Sequence, residues 1–206
     1  MLRRAKSRLA VLAGPDRERL ALAVATDTVS AALRCRQVRA VVVVTDDPVA
    51  APALAELGAR VVSDEPDAGL NPALRHGAGA AAVDPPPGGS GGVGALSADL
   101  PALRPEELGR ALGAAGERPH AFVPDAAGIG TTLYAARWGE PFEPAFGPGS
   151  RLRHLDAGAY ELALPDIATL RRDVDTPADL EAALRLGVGP RTAEVVEALG
   201  LRVPGR

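Results

Sequence analysis

Only one of the 206 residues is a cysteine, Cys35, so the chain closes no internal disulfide and holds no thiolate zinc cluster, which takes several ligands. The expected address is the reducing cytoplasm. Positive charge is not in excess: 23 Lys and Arg stand against 26 Asp and Glu, a formal net charge of −3. Without a global basic field the chain is poorly suited to nucleic acid or to an anionic membrane surface. Long hydrophobic runs are missing too. After Arg3, Arg4, Lys6 and Arg8, the apolar stretch from Leu9 to Ala13 is stopped by Gly14, Pro15 and Asp16, far short of the roughly 18 residues of a spanning helix. The three histidines, His76, His120 and His154, have neither an HExxH spacing nor a Ser/His/Asp context. They read as surface or capping residues, with His154 the exception to watch because it follows Ser150 and sits beside Arg153.

What the chain has in quantity is glycine (23), proline (19) and small apolar residues, with 47% of positions hydrophobic. The Val and Leu fall in patterned blocks, so the Gly/Pro excess punctuates elements rather than replacing them. One domain over 1–206 is expected, with 84–92 (DPPPGGSGG) as a flexible loop. Strands are expected at 40–45, 59–62, 93–97, 121–123 and 131–136, with weaker candidates at 162–164 and 170–172. Helices are expected at 15–33, 48–57, 71–82, 105–115, 176–186 and 190–199. The alternation implies an α/β fold with a mostly parallel sheet flanked by helices.

Five candidates for chemistry stand out, the last of them a pair of segments. Asp99, in LSADLPAL, follows a strand, where open α/β sheets gather ligands and where an acid can hold a divalent cation, though on these residues alone a helix or turn cap is the readier reading. Asp173 and Asp175, in DVDTPADL, stand two apart on an extended segment and can share that cation, while Thr176 caps the next helix. Lys6 and Arg8, in AKSRL, suit a triphosphate, or are a solvated tail. Gly69 and Asn71, in GLNPAL, read as a helix start, with base recognition as an added role. GIGTT (128–132) and FGPGS (146–150) have the glycines and hydroxyls of an anion-binding nest, or are ordinary turns.

Taken in order, AKSRL, GLNPAL, LSADLPAL, GIGTT, FGPGS, DVDTPADL and the tail LGVGPRTAEVV (186–196) resemble the phosphoenolpyruvate (2-phospho-L-lactate) guanylyltransferases of coenzyme F420 biosynthesis. The resemblance implies a nucleotidyltransferase-type, Rossmann-like fold in which GTP and a phosphorylated three-carbon acid meet on Mg²⁺. Phosphoenolpyruvate is favoured over 2-phospho-L-lactate, the Ala/Arg/Gly-rich composition suiting an actinobacterium. By the same resemblance Thr131, Gly147 and Ser150 bind the acid, and Asp99 and Asp173, with Asp175 beside them, hold the metal. Lys6 and Arg8 face the triphosphate and act in catalysis, Gly69 and Asn71 lie near the nucleotide, and the product passes to the next enzyme of the pathway. A homodimer is compatible with all of this. The family's hydrophobic first strand has no room ahead of AKSRL, so the expectation is a start codon assigned too far downstream or a GTP site lacking one part. Ala98, where related enzymes often have Gly, and Pro72 depart from the pattern without removing a ligand. The alternatives are a nucleotidyltransferase of the same fold with another acceptor, and an inactive binding relative.

Overall fold

The computed structural model describes residues 16–65, 67–81 and 91–201. Lys6, Arg8 and the AKSRL segment lie outside the described residues, as does most of the Pro/Gly loop. In chain order the elements are α1 (Arg17–Arg34), β1 (Val42–Val44), α2 (Ala50–Ala55), β2 (Arg60–Val62), α3 (Leu70–Ala81), β3 (Gly92–Leu96) and α4 (Pro105–Ala115). There follow β4 (His120–Pro124), β5 (Thr131–Arg137), α5 (Ser150–Asp156), β6 (Tyr160–Glu161), α6 (Ala168–Arg171), α7 (Pro177–Leu186) and α8 (Pro190–Ala198).

The α/β class holds, but the sheet is less parallel than the alternation suggested. Parallel β1 and β2 form one pair, and β3-β5-β4-β6 form a mixed sheet in which β5 runs against both of its neighbours. The reason is local: β4 and β5 are joined by the tight turn at 125–130 with no helix between them, and a direct return reverses direction. Helix α3 packs against both β1 and β3. A Cβ on Gly77 would lie 2.7 Å from the Val44 side chain, which is why this helix has a glycine where it meets β1.

One face of the mixed sheet, with Ala121, Val123 and Leu133, packs on α1 and α4 through Ala31, Ala32, Leu108 and Ala111. The other face carries Phe122 and Tyr134 against Phe142 and Phe146. Three sequence expectations change. Residues 170–172 form no strand: Leu170 and Arg171 end a short helix and Arg172 follows it. The last strand is Tyr160–Glu161, ahead of 162–164. Ser150 begins a helix that the Gly/Pro-rich approach had concealed. The best-signalled helix holds in detail: Thr176 caps α7 in a reciprocal box with Asp179, and Pro177 opens the first turn.

Helix α1 is tied to α8 by a buried carboxylate. Asp27 Oδ1 and Oδ2 accept the backbone N–H groups of Arg191 (3.2 Å) and Thr192 (2.7 Å), two donors that the start of a helix leaves without intrahelical partners. Gly189 approaches so closely that a Cβ there would lie 2.3 Å from Asp27 Cγ. Asp27→Ala is expected to lower unfolding free energy by about 2–3 kcal/mol, because it strands both donors in a buried setting. Urea denaturation checks this, and an unchanged midpoint would contradict it.

Candidate active site

Strands β3 and β4 both run against β5 and therefore point the same way. Their carboxyl ends, leading to Asp99 and Asp125, lie at the same edge of the sheet as Thr131, the first residue of β5. Ligands gather at this edge in open α/β folds.

The Asp99 loop is held on several sides. Leu100 N–H donates to Thr28 Oγ1 of α1 (3.0 Å), Ser97 N–H to the Thr132 carbonyl (2.8 Å), and Gly189 N–H to the Pro101 carbonyl (2.8 Å). Val174 N–H donates to the Asp99 carbonyl (3.0 Å), which brings DVDTPADL against LSADLPAL across 75 residues of sequence. On the far side, Glu107 Oε2, buried in α4, accepts the N–H groups of Thr169 (2.8 Å) and Leu170 (3.3 Å) at the start of α6. Arg171, at the end of that helix, donates to the carbonyls of Pro124 (3.1 Å) and Asp125 (2.8 Å). Two rigid anchors thus fix the chain just before Asp173.

Asp173 is half-buried and its pKa is pushed up to about 7, first by burial and then by the negative charges of Asp99, Asp125 and Asp175. Carboxylates so crowded repel one another, an arrangement that a cation relieves. Asp175 is exposed while Val174 between them is fully buried. Among the described residues no three His, Cys, Asp or Glu side chains form a group able to enclose a metal ion.

Asp125 is the acid that sequence reading passed over. Its two oxygens accept the N–H groups of Ile129 (2.9 Å) and Gly130 (2.7 Å), and a Cβ on Gly130 would lie 2.4 Å from Oδ2. Those amides are therefore already engaged, so GIGTT serves as a scaffold that delivers Thr131 rather than as the amide cradle that its glycines suggested. In the second turn, Ser150 N–H donates to the Gly147 carbonyl (3.0 Å) and Arg151 N–H to the Ile129 carbonyl (3.1 Å), which joins FGPGS to GIGTT. Gly147 has φ +121°, a conformation that favours glycine. Thr131, Gly147 and Ser150 thus come from two turns locked to each other, and the hydroxyl-bearing Thr131 and Ser150 are both buried.

Thr131 faces inward because of a β-bulge. Val123 pairs with Leu133 but Pro124 pairs with Thr131, leaving one extra residue on β5. The bulge interrupts strict alternation and turns Thr131 toward His154, on the face of Tyr134. His154 is fully buried, with its ring stacked on Tyr134 at a centroid distance of 4.8 Å and 5.3 Å from Phe122. Nδ1 lies 3.0 Å from Thr131 Oγ1, and Nε2 accepts the N–H of Ala145 at 3.0 Å.

Burial first, then the Arg153 charge, lowers the His154 pKa to about 4; the Ser150 carbonyl works weakly the other way. The native ring thus binds its proton less readily than an unfolded one, so its stabilising contribution is complete above pH 6.5 and is lost as pH falls through about 4. The shift corresponds to about 3 kcal/mol. In urea melts between pH 7 and pH 4, His154→Phe is expected to lose less stability than the parent; parallel losses would contradict this.

Asn71 is not the helix cap that its spacing suggested, since α3 begins at Leu70. Its amide oxygen accepts the Phe146 N–H (2.8 Å) and its amide nitrogen donates to the Phe146 carbonyl (3.0 Å), so it clamps the FGPGS segment to α3. Gly69 precedes that helix at φ +101°. Asp64, in the loop after β2, is buried with no hydrogen-bond partner for either carboxylate oxygen among the described residues, while its N–H donates to Asp46 (3.0 Å). Asp64 and Asp125 both follow strand ends closely, the signal that had singled out Asp99.

An α/β sheet with acids at one edge, facing two interlocked hydroxyl-bearing turns, belongs to the broad class of nucleotide-handling transferases. The fold is similar to that of a putative nucleotide-diphospho-sugar transferase from Desulfovibrio desulfuricans G20, with a TM-score of 0.69 at 19% identity over 97% of this chain and 92% of that one. Residues 1–205 match the family described as guanylyl transferase CofC like, and the chain belongs to it. It is 64% identical over 203 residues to the phosphoenolpyruvate guanylyltransferase of Thermomonospora curvata, covering 98% of this chain and 86% of that protein. It is 58% identical over 205 residues to the enzyme of that name from Streptomyces avermitilis, covering 99% and 93%.

Proposed function

We propose that this chain transfers a guanylyl group from GTP to phosphoenolpyruvate. The observation that carries the reading is the junction at Asp125: its carboxylate braces the turn that presents Thr131 and adds to the negative field that raises the Asp173 pKa, which supports reading the two turns and these carboxylates as one site. The names of the relatives from Thermomonospora curvata and Streptomyces avermitilis point to the same acid.

In this reading a phosphate oxygen of phosphoenolpyruvate attacks the α-phosphorus of GTP. That P–O bond forms as the bond to the bridging β-phosphate oxygen breaks, and pyrophosphate leaves. The nucleophile is already anionic, so no general base is required. Thr131 and Ser150 orient the acid through their hydroxyls, and Gly147 provides the turn between them. Asp99 and Asp173 fit a Mg²⁺ that takes one or two protein carboxylates and fills its remaining positions with phosphate and water, with Asp175 within reach through solvent. Such an ion, when bound, neutralises charge on the transferring phosphoryl group. The buried Asp64 carboxylate, without a hydrogen-bond partner among the described residues, suits the N–H donors of a guanine, with Gly69 leading into α3 and Asn71 clamping FGPGS to that helix. Lys6 and Arg8 take the triphosphate. The setting is cytoplasmic, and the product goes to an enzyme that consumes activated acids in coenzyme F420 biosynthesis.

The test is ³¹P NMR of the purified chain with GTP, Mg²⁺ and phosphoenolpyruvate. Coupled resonances of an unsymmetrical diphosphate ester, appearing together with free pyrophosphate, are expected. Pyrophosphate at the same rate without the acid would mean hydrolysis and contradict the reading.

A further inference from the structure

Thr131 shares its buried setting with a histidine whose proton position the structure fixes. The Ala145 N–H can only donate, so Nε2 of His154, at 3.0 Å, must be the acceptor. A neutral ring that accepts at Nε2 carries its hydrogen on Nδ1. Nδ1 lies 3.0 Å from Thr131 Oγ1. A protonated Nδ1 cannot accept, so the Thr131 hydroxyl hydrogen must point elsewhere. Tyr134, Phe122 and Phe146 enclose the ring at centroid distances of 4.8, 5.3 and 5.6 Å and hold this orientation.

We infer that His154 is a positioning residue for acid recognition: by donating from Nδ1 it makes Thr131 a hydrogen-bond donor, turning a hydroxyl of either polarity into one that favours an anion. The inference rests on the reading of Thr131 as an acid-binding residue. It gives a role to a fully buried polar ring beside two turns in which the Ile129, Gly130, Ser150 and Arg151 N–H groups are already engaged: the Thr131 hydroxyl adds donor capacity for the acid. It also makes Ala145, five residues ahead of Ser150 at the start of α5, the group that sets the tautomer.

Two measurements test it. Long-range ¹H–¹⁵N correlation on histidine-labelled protein is expected to show His154 as the Nδ1–H tautomer; the Nε2–H tautomer would overturn the inference whatever the activity. Calorimetric titration of phosphoenolpyruvate into protein holding Mg²⁺ and an unhydrolysable GTP analogue comes next. His154→Phe, which keeps an aromatic ring in the box, is expected to bind the acid about tenfold more weakly with unchanged affinity for the analogue. His154→Asn, whose amide nitrogen stands near the Nδ1 position, is expected to recover most of that loss. Parent-like acid affinity in His154→Phe, or an equal loss for acid and nucleotide analogue, would overturn it. Parent protein that binds both ligands yet releases no pyrophosphate would instead count against the transferase reading, leaving the binding result to judge His154.

Discussion

Asp99→Asn is expected to slow pyrophosphate release by about a thousandfold, the scale of several kcal/mol of lost transition-state stabilisation, while the protein melts no lower than its parent. The two halves of this result have separate causes. The main chain of the loop around position 99 bonds to the Thr28 hydroxyl, the Thr132 carbonyl and the Val174 N–H, and these bonds do not use the Asp99 side chain, so an amide of the same shape sits where the carboxylate did. What changes is charge: Asp173 loses the strongest of the repelling neighbours that raise its pKa, and the folded state is relieved of that repulsion. A cation that depends on the pair loses half of its protein ligands. Steady-state kinetics beside a thermal melt reads both halves. A variant with most of its activity would remove Asp99 from the metal site, and one that unfolds would make its role structural.

Thr131→Val is expected to raise the KM for phosphoenolpyruvate by about 30- to 100-fold, with the KM for GTP nearly unchanged. Valine keeps the shape of threonine and the bulged strand accepts a β-branched residue, so the main loss is the hydroxyl. That hydroxyl does two things. In the proposed site it donates to the anion, and on the inferred tautomer its oxygen, 3.0 Å from Nδ1 of His154, receives that buried N–H; a bond to a charged partner contributes about 1.5–3 kcal/mol, and a stranded donor costs a similar amount. Separate titrations of the two substrates measure the split. Equal increases for both would mean a general disturbance of the edge, and no increase for the acid would remove Thr131 from its site.

The sequence told most where local chemistry is strong. Thr176-Pro177 with Asp179 specifies a capped helix start by itself, and α7 begins there. Pro105 at the head of an amphipathic stretch fixed α4 to the residue. Strand direction was less legible, because a six-residue turn and a crossover helix differ in length and not in the strands they join; β4 and β5 are antiparallel for that reason. α5 was hidden because its start lies in FGPGS, where Gly149 at φ +70° precedes Ser150, and three Gly/Pro positions in a row of five read as turn. At the site, acids after strands were readable as a class, yet only Asp99 was taken from it, while Asp64 and Asp125 carry the same signal. Asn71 shows the opposite error. Its place near a helix start suggested a cap or a base contact, whereas its partner is the main chain of Phe146, 75 residues on, which no local pattern reports. His154 was noticed for its neighbours in sequence, but its role depends on Ala145 and Thr131, which only the fold assembles.

The central claim is that these turns and carboxylates make a guanylyl acceptor site for phosphoenolpyruvate. Pyrophosphate release by the purified chain with GTP and Mg²⁺ tests it most directly, with phosphoenolpyruvate and 2-phospho-L-lactate compared at equal concentration. The account predicts release that requires an acid and is faster with phosphoenolpyruvate. Faster release with 2-phospho-L-lactate, or silence with both acids from folded protein that binds GTP, would contradict it.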